Sequence, residues 1–250
     1  MGKLASEGPG SESDSRRTPR ISLLGGFGLS SGRVDVALAE GSQKLLAFLA
    51  LRKKPVKRVF AAGALWPEVD DSHAHSSLRS AVARLDPAAE SALVVTATHL
   101  QLAESVTVDL WESEALARRL VGPHGSFIVR ETSSSDLEAL STDLLTGWYD
   151  DWVILEAEHW RQLRLHALEA LAQDLVQTGS FADATSAAQA AIEADPLRES
   201  ARAGLIQVHI AEGNISEALN EFAKYRQLLM GELGLEPTPG LRALLKEYLK

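Results

Sequence analysis

The chain has 250 residues, of which 45% are hydrophobic, enough for one large domain or two of ordinary size. It contains no cysteine, which excludes disulfides, thiolate metal sites and cysteine nucleophiles. Its formal net charge of -9 has the wrong sign for a protein that binds a polyanion over its whole surface.

The charge is unevenly distributed. Residues 1–110 hold 13 Lys and Arg against 12 Asp and Glu, whereas residues 111–250 hold 12 against 22. Five cations of the first half fall within seven residues: Arg52, Lys53, Lys54, Lys57 and Arg58. Because charges are screened beyond roughly 8 Å at physiological salt, such a cluster directs an anion more than the total charge does.

Residues 1–19 are rich in Ser, Gly and charge, so we expect a disordered tail. They contain no apolar run typical of a secretory signal. The longest apolar stretch, LLAFLAL at 45–51, is far too short to span a bilayer. The sequence therefore predicts a soluble cytoplasmic protein that makes no membrane contact.

Strands are predicted first, and helices follow. RISLL and RVDVA, within 20–37, are strand-like and are separated by the Gly/Ser turn region GGFGLSSG. This region lacks the lysine of a phosphate-binding loop, and no helix begins directly after it. GSQKLLAFLALRKKP predicts a helix with Ser42 as N-cap and an end before Pro55. VKRVFAAGALWPEVDD predicts a short second helix that ends at Pro67.

A third helix is predicted from SHAHSSLRSAVARLD at 72–86. Around Leu78, four apolar residues share one face: Ala74, Ala81, Val82 and Leu85. The remaining side is mostly polar or basic and carries His73, Ser76, Ser77, Arg79, Ser80, Ala83 and Arg84. Such a helix is either a solvated surface helix or one that reads bases in the major groove of DNA.

SALVVTATHLQLAESVTVDL, at 91–110, predicts a β-hairpin and a further strand. Strands, three helices with a tight turn between the last two, and then a hairpin form the order of a winged helix-turn-helix preceded by a small sheet. At the hairpin tip, Thr96, Thr98 and His99 are candidates for contact with the minor groove or the DNA backbone.

Residues 111–120 begin a helical region, 121–136 are predicted to form a mobile loop, and nearly everything from 137 onward is helical by period. Three pairs of residues lie 34 positions apart: Gly179 and Gly213, Phe181 and Ile215, Ala184 and Ala218. Thirty-four residues is the tetratricopeptide period. The glycines suit tight turns between antiparallel helices, and the alanines allow close packing.

Four phrases of the sequence are similar to those of a known family: LWPEVDDSHAHSSLRSAVARL, LLTGWYDDWV, DPLRESARAGLIQVHIAEGN and ELGLEPTP. Over roughly residues 20–250 the chain resembles the Streptomyces antibiotic regulatory proteins. The resemblance implies an α+β winged helix-turn-helix of the OmpR type at 20–110. An all-α bacterial transcriptional activation domain with tetratricopeptide-like repeats is implied at 111–250.

The resemblance also implies a function. Members activate secondary-metabolite gene clusters in actinomycetes by binding direct repeats near the promoter −35 element. They bind double-stranded promoter DNA as side-by-side dimers and recruit RNA polymerase holoenzyme through the sigma factor and other subunits, so a nucleoid-associated location is expected. By position, Ser72–Leu85 would be the recognition helix and Val94–Leu102 the wing. Many members continue with a basic RLRR-type run, whereas here Arg84 and Leu85 lead into Asp86-Pro87.

The candidate DNA contacts differ in what they can recognise. Arg79 and Arg84 suit guanine or phosphate, and the serines suit either bases or phosphates. The 52–58 cluster is interpreted as a phosphate anchor, with a plain solubilising face as the alternative. The predicted set is Arg52, Lys53, Lys54, Lys57, Arg58, His73, Ser76, Ser77, Arg79, Ser80, Arg84, Thr96, Thr98 and His99.

The turn before the third helix is acidic. In OmpR-like domains the corresponding loop faces polymerase, so Glu68, Asp70 and Asp71 are candidates for contact with a basic sigma surface. The alternative, which is compatible with that role, is that Asp71 or Ser72 caps the third helix.

No enzymatic or metal site is predicted, and no cofactor. His73 and His75 point in different directions on a helix, and His159 and His166 are too far apart to share a metal ion. No acid/base pair or nucleophile constellation is present. Trp148, Trp152 and Trp160 are expected to pack the first helices of the helical half. The alternative function is a protein-interaction adaptor whose winged domain has lost specific DNA binding.

Overall fold

A computed structural model describes residues 18–122 and 133–248. The chain divides into two compact units. The first comprises the described residues up to Trp111 and a returning segment, Leu144–Ala157; the second comprises the described residues within Glu112–Asp143 and Glu158–Lys250. The sequence predicts one domain boundary, between residues 110 and 111. It does not predict that Leu144–Ala157 belongs to the first unit.

The first unit begins with a four-stranded sheet. Its strands are β1 (Pro19–Ser22), β2 (Gly28–Ser31), β3 (Val34–Asp35) and β7 (Thr107–Val108), in the order β3-β2-β1-β7. β1 pairs antiparallel with β2 and parallel with β7. Gly28–Ser31 was predicted as part of a turn, but it forms β2, because Leu29 is buried and Gly28 pairs with Ser22. The predicted tail overlaps β1 by one residue, Pro19, and its residues 1–17 lie outside the described residues.

Helices and a second sheet follow. The helices are α1 (Glu40–Arg52), α2 (Arg58–Leu65), α3 (Asp71–Ala83) and α4 (Pro87–Glu90), and the strands are β4 (Val56–Lys57), β5 (Leu93–Val95) and β6 (His99–Leu102). The three strands form an antiparallel sheet in the order β4-β6-β5. The three predicted helices and the hairpin are therefore present, while the short α4 was not predicted.

The start of α1 differs from the prediction. The N-cap is Ala39, which supplies no side-chain hydrogen bond, and the helix already includes Ser42. Ser42 is buried, and its Oγ donates a hydrogen bond of 2.8 Å to the carbonyl of Ala81 in α3. The hydroxyl that was predicted to cap α1 therefore joins two helices instead.

The returning segment supplies aromatic side chains to the core of the first unit. Trp152 packs edge-on against Phe48 of α1 with ring centroids 5.2 Å apart, and Trp148 lies 6.2 Å from both Trp152 and Phe27. The backbone N–H of Leu145 donates to the carbonyl of Leu23 at 2.8 Å. The expectation that Trp148 and Trp152 pack the helical half is therefore wrong.

The second unit is helical. Its elements are part of α5 (Asp109–Val121), α6 (Ser134–Ser141), most of α7 (Asp151–Gln177), α8 (Phe181–Ala194), α9 (Glu199–Glu212), α10 (Ile215–Leu233) and α11 (Pro239–Leu244). Both ends of the loop predicted at 121–136 are helical in the structure. Val121 is the last residue of α5, and a capping box between Ser133 and Asp136 begins α6. Residues 123–132 lie outside the described residues.

The 34-residue repeat is visible in the backbone. Gly179 and Gly213 have φ of 76° and 88°, and the residues that follow them, Ser180 and Asn214, have nearly identical φ and ψ. The N–H of Ser180 donates to Leu175 O at 2.9 Å, and the N–H of Asn214 donates to the equivalent His209 O at 2.8 Å. Ala184 and Ala218 are both fully buried, as close helix packing requires.

The phrase DPLRES, residues 195–200, spans the turn between α8 and α9 and the first two residues of α9, and two of its charged residues form ion pairs. Asp195 accepts from Arg161 Nη1 at 2.9 Å, and Arg198 Nε donates to Glu169 at 2.7 Å. Both partners lie on α7, so these pairs attach the α8–α9 turn to that helix. Among the described residues, no helix combines the length and apolar character needed to cross a membrane.

Candidate nucleic-acid interface

α3 has one buried and one exposed face. Ala74, Leu78 and Ala81 are at most 5% exposed, and Leu85, just beyond the helix, is also buried. Val82 is half-buried. The other face holds the predicted DNA-reading side chains, of which Ser77 is half-buried and the rest are exposed: His73, Ser76, Arg79, Ser80 and Arg84. The face assignment from the helical wheel is confirmed.

Asp70 caps α3, rather than Asp71 or Ser72. Its Oδ1 accepts a hydrogen bond from the backbone N–H of His73 at 3.0 Å, and its Oδ2 lies 2.7 Å from His73 Nδ1. These hydrogen bonds, the backbone one first, lower the pKa of Asp70 below its ordinary value. The cap therefore orients the imidazole of His73 at the start of the exposed face. Glu68 is exposed in the preceding turn, and Asp71 is the exposed first residue of α3.

A groove of about 380 Å³ lies between the exposed face of α3 and the start of α1. Its lining includes Gly41 from α1, Ser80 and Arg84 from the α3 side, and the indole of Trp66. Sequence reasoning missed Trp66 and the role of Ser42. For Ser42 a signal existed, because Leu45 and Leu46 lie three and four residues further on and place it on the buried face of α1.

The cation cluster at 52–58 is divided between two places. Arg52, Lys53 and Lys54 lie at the end of α1, where the Arg52 guanidinium sits over the rings of Phe48 at 5.0 Å and Phe60 at 5.8 Å. Lys53 is the C-cap in a left-handed conformation, with φ of 54°. The first three cations of the predicted cluster therefore lie at the C-terminal end of α1, where Lys53 ends the helix.

Lys57 and Arg58 instead join the tip of the β5–β6 hairpin. Lys57 is paired with His99 across β4 and β6. The N–H of Arg58 donates to Thr98 O at 2.9 Å, and its guanidinium lies 3.4 Å from Thr96 O. The structure therefore brings these two cations together with the predicted residues of the hairpin tip.

The hairpin tip is ordered by its own side chains. Thr96 Oγ1 accepts from the N–H of His99 at 2.9 Å and donates to the carbonyl of the same residue at 3.1 Å. Thr98 Oγ1 lies 2.8 Å from His99 Nδ1. Because the polar groups of the tip are held by short-range hydrogen bonds, the tip presents Thr98 and His99 in a fixed arrangement beside Lys57.

α1 connects the two candidate contact areas. It packs against α3 through Ser42 near its start, and it also contacts β6. A helix of 13 residues is about 20 Å long, so the α3 groove and the cations that follow α1 lie at opposite ends of that length. Within the described residues, no three His, Asp or Glu side chains are grouped so that they could hold a metal ion.

Residues 105–249 match the family model of the bacterial transcriptional activator domain. This match covers more than half of the chain. The chain belongs to the bacterial transcriptional activator domain family. Together with the relatives described next, this match confirms the predicted membership of the Streptomyces antibiotic regulatory proteins.

Two curated relatives of this activator-domain family member are regulatory proteins named AfsR. The protein from Streptomyces coelicolor is 31% identical over 229 residues, covering 85% of this chain and 22% of the relative. The protein from Streptomyces griseus is 28% identical over 247 residues, covering 92% of this chain and 24% of the relative. The chain therefore spans about a quarter of the length of these relatives.

A solved structure also resembles this activator-domain protein: Mycobacterium tuberculosis EmbR in complex with a low-affinity phosphopeptide. The TM-score is 0.71 at 23% identity, over 92% of this chain and 65% of the EmbR chain. At this identity the likeness shows the fold alone. It supports a small N-terminal β region followed by a helical domain.

Proposed function

We propose that the protein is a DNA-binding transcriptional activator, with an OmpR-like winged helix-turn-helix in its first unit and tetratricopeptide-like repeats in its second. In this proposal α3 enters the major groove, and the β5–β6 hairpin is the wing. One observation carries it: α3 buries its apolar face and presents hydroxyl, imidazole and guanidinium groups to solvent. These are the groups that recognise base edges and phosphates.

The cations around α1 and β4 are proposed to bind the DNA backbone. With α3 in a major groove about 12 Å wide, cations about 20 Å along α1 would lie near the flanking phosphates. Lys57 and Arg58, beside the hairpin tip, would bind a further stretch of backbone. Lysines act there as point charges, so they add affinity without reading sequence.

Activation is proposed to proceed through protein contacts and not through chemistry or a cofactor. The protein would bind direct repeats near a −35 element as a side-by-side homodimer and recruit RNA polymerase holoenzyme through sigma and other subunits. Glu68, Asp70 and Asp71 remain proposed polymerase contacts. Similarity to regulatory proteins from two Streptomyces species supports control of a secondary-metabolite gene cluster as the biological role.

The proposal is tested by an anisotropy titration of the full chain against duplexes from promoters of the neighbouring gene cluster, with random duplex as competitor. Specific binding that weakens steeply between about 50 and 200 mM salt is expected. Binding no tighter than to random DNA at about 50 mM salt would refute it.

That negative result would favour the second candidate, a protein-interaction adaptor. The observation behind this candidate is that the exposed face of α3 carries only two arginines, Arg79 and Arg84, while His73 already lies against the carboxylate of Asp70. An adaptor would keep the helical repeats as its binding surface.

A further inference from the structure

We propose that a groove of about 680 Å³ on the first unit docks a segment of RNA polymerase holoenzyme that carries cations beside a large apolar side chain. This inference rests on the proposed function, because it concerns how a DNA-bound activator contacts polymerase. The sequence predicted polymerase contacts only in the acidic turn before α3. The groove extends that surface to residues of the returning segment.

Two separate stretches of the chain form the groove. One wall is the end of α2 and the turn after it, Gly63–Val69, and the other is Tyr149–Trp152 of the returning segment. Lys44 of α1 also lines it. All of these residues belong to the first compact unit, so the groove is a feature of that unit alone.

The groove exposes apolar surface that a partner would cover. Tyr149 is 83% exposed and Val69 is 47% exposed, and they stand on opposite walls. Trp152, which also lines the groove, is only 7% exposed, and its indole Nε1 has no hydrogen-bond partner in the described part of the chain. Exposed aromatic and aliphatic side chains around a concavity are typical of protein-docking sites.

The charge of the groove selects a cationic partner. Glu68, Asp150 and Asp151 line it, and its one described cation, Lys44, is already 3.1 Å from Asp150. Asp70 and Asp71 follow directly after Val69 in the chain. The resulting negative field repels nucleic acid, so this groove is not part of the DNA interface.

A second copy of the chain fits the groove less well than polymerase does. The first unit concentrates its cations at Arg52–Arg58, and the proposed function places those side chains on DNA. Most described cations of the second unit form ion pairs with carboxylates of that unit, such as Arg161 with Glu158 and Arg198 with Glu169. A neighbouring copy bound to DNA would therefore offer this groove mainly cations that already have a carboxylate partner. RNA polymerase holoenzyme is the partner that the proposed function already assigns to the protein.

The test uses the full chain bound to a labelled promoter duplex, titrated with RNA polymerase holoenzyme from Streptomyces coelicolor. One variant is made on each wall, Tyr149→Ala and Val69→Ser, with Glu68→Lys as a charge variant. Tyr248→Ala and Glu90→Lys are matched controls at exposed positions outside the groove. Unchanged melting midpoints show that the variants fold.

Each groove variant is expected to raise the holoenzyme concentration for half-maximal ternary complex about tenfold or more, as truncation of a central interface residue does. Affinity for DNA alone should remain within about twofold, because the DNA-reading face of α3 is untouched. The two control variants should behave as the wild type in both measurements.

Failure of this inference is distinct from failure of the proposed function. If wild-type protein shows no specific DNA binding, the proposed function fails. If it binds DNA but Tyr149→Ala matches wild type in the ternary complex, the groove is not the docking site, even if Glu68→Lys has an effect. A change in the number of copies per duplex before polymerase is added would assign the groove to a second copy and overturn the inference as well.

Discussion

Ser42 joins α1 to α3 through one buried hydrogen bond, from its Oγ to the carbonyl of Ala81. Replacing it by alanine should lower the free energy of unfolding by about 0.5–1.5 kcal/mol, the net contribution of a typical buried hydrogen bond. Urea denaturation of Ser42→Ala measures this. The matched control is Ser80→Ala on the exposed face of α3, which should change stability by less than about 0.5 kcal/mol. Equal effects of both changes would show that the bond does not matter.

Arg79 and Lys57 differ in what they can recognise if the protein binds DNA as proposed. Arg79→Ala should cost about 1–3 kcal/mol on the preferred duplex and relax its sequence preference, because a bidentate arginine discriminates bases. Lys57→Ala should weaken binding to all duplexes alike and reduce the salt slope by about 1, since a lysine neutralises one phosphate. Anisotropy titrations over a panel of duplexes compare them, with Lys224→Ala of the second unit as the control. Identical behaviour of both variants would contradict this division of roles.

The buried face of α3 could be predicted from sequence, whereas the helix caps could not. The spacing of Ala74, Leu78 and Ala81 is a local property that survives any tertiary context. A cap depends on which of several neighbouring oxygens reaches the first N–H groups. Ser42 does not cap α1, because its hydroxyl donates to the carbonyl of Ala81, which is 39 residues away in sequence.

At the scale of elements, Gly179 and Gly213 form the turns of the helical repeat with positive φ. Alanine at either position should lower the free energy of unfolding by about 1–2 kcal/mol, because a Cβ strains a left-handed backbone even where the space around it is open. The matched control is Gly204→Ala inside α9, which should raise stability by about 0.5–1 kcal/mol. Chemical denaturation of the three variants checks the opposite signs. Effects of the same sign would contradict this account of the turns.

Protonation of Glu158 in acid should lower the stability of the second unit. Hydrogen bonds from Arg161 and then Gln162 lower its pKa from 4.5 to about 2. A carboxyl group whose pKa is lower in the folded than in the unfolded protein stabilises the fold at pH values above its unfolded pKa. This contribution is lost as pH falls from about 4.5 towards 2. The carboxylate is half exposed, so solvent screening keeps the effect below about 1 kcal/mol. Melting midpoints of wild type and Glu158→Gln should differ at pH 7 and converge near pH 2; a constant difference would contradict the assignment.

The repeat of the second unit was visible in sequence, but the ion pairs of the DPLRES phrase were not. Glycine and alanine at an offset of 34 residues mark the turn and the close packing directly. Which carboxylate Arg198 would meet depends on how the α8–α9 turn lies against α7, and the answer is Glu169, 29 residues earlier. Charge patterns along the chain do not specify such pairings.

At the scale of the whole molecule, the first unit is discontinuous, and sequence alone did not reveal this. Local period predicts helix almost throughout residues 137–250, yet residues 142–150 are not helical, with φ of 44° at Leu145 and 87° at Gly147. What brings this segment back is aromatic packing with residues about 100 positions earlier, such as Trp152 with Phe48. Contacts over that distance leave no periodic signal in the chain.

This packing predicts that the first unit depends on the returning segment. Trp152→Ala in the full chain should destabilise it by about 3–5 kcal/mol, because it leaves a cavity against Phe48. Hydrogen exchange should then rise in α1, which carries Phe48. The control is Trp160→Ala, whose side chain is equally buried but belongs to the second unit, where its Nε1 donates to Thr142 O.

A fragment of residues 1–122 extends the same argument, since it keeps α1–α4 and both sheets but lacks Leu144–Ala157. It should melt below the full chain and without a sharp transition, because Phe48 and the carbonyl of Leu23 lose the partners that the segment provides. Adding residues 144–157 back through a flexible linker should restore a cooperative transition. A fragment that already melts as sharply as the full chain, with α1 equally protected from exchange, would show that the segment rests on a domain complete without it.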